Sequence, residues 1–326
     1  MGNIDLSHIK KPKRMRREGM LSGKKTPFRK RMPPAAQRHV FIRRNALWAQ
    51  SEAPVNPERT EIEDLNAHTL DMKNLAREFG ADVVGVAEYR TEFLFQDAEE
   101  REHTRVLIFG MAMKYDDMVD IGPRSQDEVH RVYYNLDDTA VRLSHHIGAY
   151  GFEAKIQHNG GDFPLPAVAY MAGLGELGKH GSLISPMYGS SLRFGAVSTN
   201  MPLAPDGPKD FGMDRICTNC RLCERFCPGD AIKRRKKTVN GVERWYVETS
   251  ECEPWFLRMH GCKVCLMVCP FNAKGVLKEA FKPVAHVIRE TKNAKGLLSY
   301  IKDRQGVDYE KVDVRDHLAD VQQEGP

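Results

Sequence analysis

All eight cysteines of the chain fall between Cys217 and Cys269, in two bursts separated by a short insert. The first burst reads Cys217-Thr-Asn-Cys220-Arg-Leu-Cys223-Glu-Arg-Phe-Cys227-Pro228. The second is looser, Cys252 and then Cys262-Lys-Val-Cys265-Leu-Met-Val-Cys269-Pro270. In a C-x2-C-x2-C-x3-C-P run the first three thiolates wrap one iron–sulfur cube, and the fourth, turned away at the Cys-Pro corner, reaches a second one. On that rule Cys217, Cys220, Cys223 and Cys269 hold one [4Fe-4S] cluster while Cys252, Cys262, Cys265 and Cys227 hold the other, and no cysteine is left over. Structural zinc uses ligand pairs about fifteen residues apart and gives no purpose to a third closely spaced cysteine or to two Cys-Pro endings. Disulfides require export, and no export signal is visible.

The rest of the chain must position these thiols. Its 326 residues, 41% hydrophobic and 29% charged, suit one sizeable globular domain plus a smaller one. No run approaches the eighteen or so apolar residues needed to cross a bilayer. The net charge of +5 is lopsided, because residues 1–45 carry fourteen Lys and Arg against two acids. Arg43-Arg44 is followed by Asn45-Ala-Leu-Trp48 and then polar residues, without the apolar segment of a twin-arginine signal, and Leu6 stands where a myristoylation signal has Ser or Thr. The expected location is the cytoplasm. Residues 1–55 read as a basic, extended or partly ordered arm that either drapes over the body or meets a polyanion such as nucleic acid.

A compact domain is expected over residues 56–205, a two-cluster domain over 206–280 and a charged tail over 281–326. Leu65, Leu70, Met72, Leu75 and Phe79 recur at helical spacing, with Gly80 as the stop. Ala81–Ala87 and Val106–Met113 read as buried strands flanking a short charged helix near 93–103. Alternation of helix and strand suggests an α/β layer structure. The longest helix, over 125–150, carries Val129, Val132, Leu136, Ala140, Leu143 and Ile147 on one stripe. Tyr133 projects beside that stripe as a core residue, and Tyr134 projects off it as a pocket residue. Strands follow at Phe152–Ile156 and Leu192–Ser198, with a helix over Ala167–Ala172 between them. Lys233–Lys237 leads into a hairpin whose turn is Asn240-Gly241.

Glycines at 173, 175, 178 and 181 let backbone come close to something bulky, in a spacing that is neither a dinucleotide fingerprint nor a P-loop. Ala172-Gly-Leu-Gly-Glu-Leu-Gly-Lys-His-Gly181, Ile184-Ser-Pro-Met-Tyr-Gly189, Arg193, Thr199-Asn-Met-Pro-Leu203 and the cysteine module together resemble the cobalamin-dependent reductive dehalogenases, from about residue 60 to 275. The chain departs from that pattern at Lys179-His180, at Met187 where Glu is usual, and at Thr199-Asn200 where Asp is usual. The related epoxyqueuosine reductases share both cofactors, but they usually have a Trp-Ile-Gly-Lys variant of the glycine stretch and an Asp where Tyr134 aligns.

The resemblance implies a mixed α+β or α/β fold: a nitroreductase-like domain holding a base-off corrinoid, beside a ferredoxin-like domain with two [4Fe-4S] clusters. It implies that Gly173, Leu174, Gly175, Gly178, Tyr188 and Gly189 line the corrinoid. It also implies that a tyrosine assisted by a cation protonates the carbon left by the halogen, roles that Tyr134 and Arg193 fill, with Asn159 hydrogen-bonding the tyrosine or substrate. The plainer readings are a surface Tyr134 and an Arg193 paired with an acid. His145, His146, Glu176, Lys179 and His180 are set aside as packed, solvated or capping residues.

The implied partners are a small, aromatic organohalide and an external ferredoxin, flavodoxin or reductase, which Lys233–Lys237 would attract by charge. Two alternatives stand beside this reading. One is an epoxyqueuosine-reductase-like enzyme whose basic arm holds tRNA phosphates. The other is a two-cluster electron carrier without a corrinoid.

Overall fold

A computed structural model describes residues 10–11, 34–118, 123–258, 261–272 and 303. Most of the expected arm before residue 34, and the expected tail apart from Asp303, lie outside the described residues. The body comprises α1 (Pro34–Trp48), α2 (Leu65–Glu78), β1 (Val83–Glu88), β2 (Arg105–Ala112), α3 (Tyr115–Met118), α4 (Pro123–Ala149), β3 (Ala154–Gln157), α5 (Leu165–Met171), two short strands β4 (Glu176–Leu177) and β5 (Leu183–Ile184), and β6 (Leu192–Thr199). The cysteine segment adds α6 (Met213–Cys220), α7 (Leu222–Arg225), β7 (Lys237–Val239), β8 (Val242–Arg244), α8 (Thr249–Arg258) and α9 (Val264–Met267).

The main sheet has the order β1-β2-β6-β3, and each neighbouring pair is antiparallel. Of the two fold classes expected, the antiparallel sheet therefore selects α+β. The link between β1 and β2 holds only a 3-10 turn at Thr91–Phe93, so the chain returns beside itself without the crossover that parallel strands need. The expected charged helix at 93–103 is absent. Glu99 and Glu102 would repel one another one turn apart. Arg101 instead pairs with Glu52 at 2.7 Å, and its amide donates to the Tyr89 hydroxyl at 3.3 Å.

Both faces of the sheet are covered, and β2 divides its side chains between them with the period of two that a strand imposes. Leu107, Phe109 and Met111 join the core beneath α2 and α4, while Val106 and Ile108 join the core beneath α5. The α4 stripe is buried as expected at Val132, Leu136, Ala140, Leu143 and Ile147. In α2 the buried residues are Thr69, Met72 and Ala76, whereas Leu65 and Leu70 are exposed. Asp64 caps α2 by accepting the amides of Asn66 and Ala67 at 2.9 and 3.0 Å. The first core continues into the cysteine segment through Val264, Met267 and Val268, all fully buried.

Within the arm expected to be extended or partly ordered, residues 34–48 form a helix, and an ion pair holds it to α4. Arg44 Nε donates to Asp137 of α4 at 2.6 Å, with both side chains almost fully buried. Trp48 Nε1 donates to the same carboxylate oxygen at 2.8 Å. Burial pushes the Asp137 carboxyl up, and Arg44 pulls it back down. Further upstream Lys10 donates its amide to Asn240 O at 2.9 Å, and Lys11 pairs with Glu100. The Asn240-Gly241 turn has positive φ at both residues, 53° and 87°, as a tight hairpin between right-twisted strands requires.

Removing one partner of a buried pair strands the other charge, so Arg44→Met is expected to cost about 3–5 kcal/mol in chemical denaturation. Arg44→Met combined with Asp137→Leu is expected to regain most of that loss. An Arg44→Met protein as stable as the parent would show that the pair does not anchor α1.

Candidate functional site

The eight thiols gather into two neighbouring groups. Cys223 is pushed up to about 12 by burial and then by Cys217, Cys269 and Cys220. Cys262 is pushed up to about 12 by burial, with Cys252 and Cys227 adding to it, and Cys265 is raised by burial, Cys262, Cys227, Cys223 and Cys252. Each group thus contains three thiols of one burst and the Cys-Pro cysteine of the other, or their equivalents. Cys223 of the first group also acts on Cys265 of the second, so the two groups are neighbours.

Cys217, Cys220, Cys223 and Cys269 line one small cavity. Among the described residues no three metal-type side chains converge on a single ion. Spread thiols around a cavity suit a multi-iron cube, whose sulfur ligands bind different irons, better than a tetrahedral zinc. Backbone in the left-handed region at Arg221, Cys262 and Lys263 (φ 56°, 45° and 69°) wraps the chain around these groups.

The glycine stretch seats the cysteine segment on the body. A Cβ at Gly175 would lie 2.2 Å from Ile184 O, and one at Gly189, where φ is +57°, would lie 2.1 Å from Phe271 O. A Cβ at Gly173 would meet Gly207 O at 2.6 Å. The bulky neighbour that these glycines admit is therefore the chain itself. Leu174 and Tyr188 pack against the core beneath α5. Glu176 accepts the amides of Phe211 and Met213 at 2.6 and 3.1 Å, holding the start of α6. Asn272, fully buried, bonds the Ser191 hydroxyl and donates to Leu266 O at 3.1 Å.

Lys179 and His180, set aside in the sequence, both line the first thiol cavity. Lys179 is 1% exposed, with Nζ 3.5 Å from Glu224 and 4.5 Å from the centre of the Trp245 ring. His180 accepts the Ser182 amide on Nδ1 at 3.2 Å, and burial pulls its pKa down to about 4. A Cβ at Gly178 would lie 2.9 Å from the His180 ring, so that glycine makes room for the imidazole.

A second constellation lies under α4. Arg193, near the start of β6, shares a strand face with Gly195 and Val197, the face that α4 covers. Its guanidinium lies 5.7 Å from the centre of the Tyr133 ring, and that of Arg44 lies 4.9 Å from the same ring. His158 stacks on Trp48 at 4.2 Å. Arg193 Nε, Arg44 Nη2 and His158 Nδ1 are buried without a hydrogen-bond partner among the described residues. The buried His130 is held down to about 3 by burial and then by Arg44, Lys263 and Arg193, so three cations converge here.

Arg193 thus meets Tyr133, the tyrosine that the helical projection assigned to the core, and no ion pair joins Arg193 to a described acid. Tyr134 is half-buried and has no hydrogen bond or ring contact with another described residue. Asn159 is exposed on the turn after β3, where its backbone meets His158. Arg44, Trp48 and His158 were missed by sequence reasoning, since single side chains far apart in the chain leave no periodic signal.

Comparison with known proteins identifies relatives of the cysteine segment and of the fold. A family model described as a 4Fe-4S dicluster domain matches residues 216–273. The tetrachloroethene reductive dehalogenase of Sulfurospirillum multivorans is 38% identical over 115 residues, 32% of this chain and 23% of that protein. The epoxyqueuosine reductase of Lactococcus garvieae is 30% identical over 162 residues, 48% of this chain and 44% of that one. A solved catabolic reductive dehalogenase, NpRdhA in complex with 3-bromo-4-hydroxybenzoic acid, superposes with a TM-score of 0.73 at 21% identity, covering 92% of this chain and 47% of that chain. The chain spans less than half the length of each of these relatives. It is similar to two groups of iron–sulfur oxidoreductases and has the fold of the first. No helix among the described residues is long and apolar enough to cross a membrane.

Gly189→Ala is expected to unseat the cysteine segment, because the added carbon collides with the Phe271 carbonyl and the positive φ disfavours any side chain. A lowered thermal midpoint and loss of bound iron after anaerobic reconstitution are the expected readouts. Unchanged iron content and midpoint would contradict the seating role.

Proposed function

We propose that this chain is the redox core of a reductive dehalogenase that replaces a halogen on a small aromatic organohalide with hydrogen. The overall change is R–X + 2e⁻ + H⁺ → R–H + X⁻, with electrons from an external low-potential donor. The observation that carries the reading is the Tyr133 ring under two guanidiniums, beside a segment that gathers eight thiols into two groups.

The thiol groups fit two [4Fe-4S] clusters in donor type, number and spacing, with Cys217, Cys220, Cys223 and Cys269 for one and Cys227, Cys252, Cys262 and Cys265 for the other. A base-off corrinoid fits the second constellation, whose buried nitrogens lack hydrogen-bond partners among the described residues. Bound there, the corrinoid would supply a cobalt nucleophile for the carbon–halogen bond, and the clusters would supply its electrons. Gly173 and Gly189 would act on it indirectly by holding the cluster segment in place, Gly175 and Gly178 by shaping the β4–β5 hairpin, and Leu174 and Tyr188 by packing the core beneath α5.

The protein's own part is the proton. The Tyr133 hydroxyl gives it to the carbon, and the Arg193 guanidinium stabilises the phenolate that remains. The Asp137 carboxylate fixes Arg44, which keeps a second positive charge on the ring and shields it from water. Tyr134 keeps a weaker claim to the proton-donor role, and Asn159 would reach substrate only from its exposed turn.

The second reading, an epoxyqueuosine-reductase-like enzyme, is favoured by the likeness to the Lactococcus garvieae enzyme over 48% of this chain. A salt-sensitive complex with tRNA would support it.

Protein reconstituted anaerobically with iron, sulfide and cobalamin is expected to hold about eight irons, to give a base-off Co(II) signal and to debrominate a bromophenol. Iron without retained corrinoid would reduce the chain to an electron relay. Tyr133→Phe is expected to lower turnover at least about 100-fold, with Tyr134→Phe within a few-fold of the parent. The reverse order would return the proton to Tyr134.

A further inference from the structure

The first thiol cavity is lined by more than sulfur. Lys179 and His180 leave the β4–β5 hairpin and turn into it, where neither is needed to build the sheet. His180 Nδ1 is occupied as an acceptor for the Ser182 amide, so the ring proton sits on Nε2. That Nε2 is buried and has no acceptor among the described residues, a costly state for a donor unless a partner occupies the cavity. The residues on either side make the placement possible: Gly178 clears space for the ring, and Gly181 turns the chain away at a φ of +77°.

Lys179 adds charge. Its ammonium and the Arg221 guanidinium share the single carboxylate of Glu224, at 3.5 and 2.5 Å. Two cations on one anion leave the wall of the cavity positive. Asp214, the carboxylate that acts on Cys217, is engaged by Lys236 at 2.7 Å. The Lys179 backbone also bonds Cys217 directly.

We propose that Lys179 and His180 set the reduction potential of the cluster held by Cys217, Cys220, Cys223 and Cys269. The His180 Nε2–H donates to a cluster sulfur, and Lys179 provides a fixed positive charge beside it. The inference rests on the reading of that cavity as a [4Fe-4S] site. When one electron enters from a one-electron reductant the cluster gains a negative charge; no bond breaks and the proton stays on Nε2. A hydrogen bond and a nearby cation both stabilise the more negative, reduced form, so both raise the potential. These are positioning residues, tuning the metal through its sulfurs.

The test is an EPR-monitored potentiometric titration with dithionite on the full chain, reconstituted with iron and sulfide. Two one-electron couples are expected in the parent protein. His180→Phe is expected to lower one of them by about tenfold in the reduced-to-oxidised ratio at a fixed poise, about 59 mV, and to leave the other near its place. His180→Gln, which keeps an N–H donor, is expected to return towards the parent, and Lys179→Met to shift the same couple downward. Unshifted couples in His180→Phe with a full iron complement overturn the proposal, whereas a parent protein holding a single cluster overturns the two-cluster reading instead. If His180→Phe fails to hold iron, the parent decides: with isotope-labelled histidine, its reduced cluster is expected to show a histidine-nitrogen hyperfine coupling, and absence of that coupling overturns the proposal.

Discussion

The rest of the structure depends on the need to crowd eight buried and half-buried thiols together. Thiolates repel one another and burial penalises their charge, as the upward pull on Cys223, Cys262 and Cys269 records. Such an arrangement is stable only when positive metal sits among the sulfurs and a rigid frame keeps them from drifting apart. The frame is the antiparallel sheet with α4 and α5 on its two faces. The apolar residues of α9 extend the same core, so the sulfur cages are built into the body.

The seam between body and cysteine segment is made of backbone rather than large side chains. Gly189 against Phe271 and Gly173 against Gly207 are contacts in which a single methyl group has no room. Buried polar groups close the same seam: Glu176 on the amides of α6, and Asn272 on Ser191. Tight backbone packing fixes distances to a fraction of an ångström. The electron transfer and proton delivery proposed above would both require such fixed distances.

How much of this was legible depended on whether the signal was local. The cysteine spacing named its chemistry outright, and the periodicity of Val132, Leu136, Leu143 and Ile147 located α4 because one face of a helix meets one core. Tyr133 and Tyr134 were harder. A projection separates core from non-core, but α4 is packed by the sheet on one side and by α1 on another, so Tyr133 at the margin of the stripe meets Arg44 and Arg193 together. The helix α1 was invisible for a related reason: Arg44 and Asp137 lie 93 residues apart, and the sequence around each looks merely charged. The glycine stretch was read as ligand-facing because sequence reports freedom of backbone approach and not the identity of what approaches. His180 was passed over because an imidazole looks the same in sequence whether it fills space or carries a hydrogen bond.

The exchange of cysteines between the bursts has a consequence for biosynthesis. Cys227 sits with the later trio and Cys269 with the earlier one, so the upstream group waits for the last cysteine to leave the ribosome, while the downstream group is complete only four residues sooner. Three thiols of the upstream trio emerge long before their fourth partner. On the ligand assignment proposed above, iron would complete either cluster only at or after the end of translation of the segment.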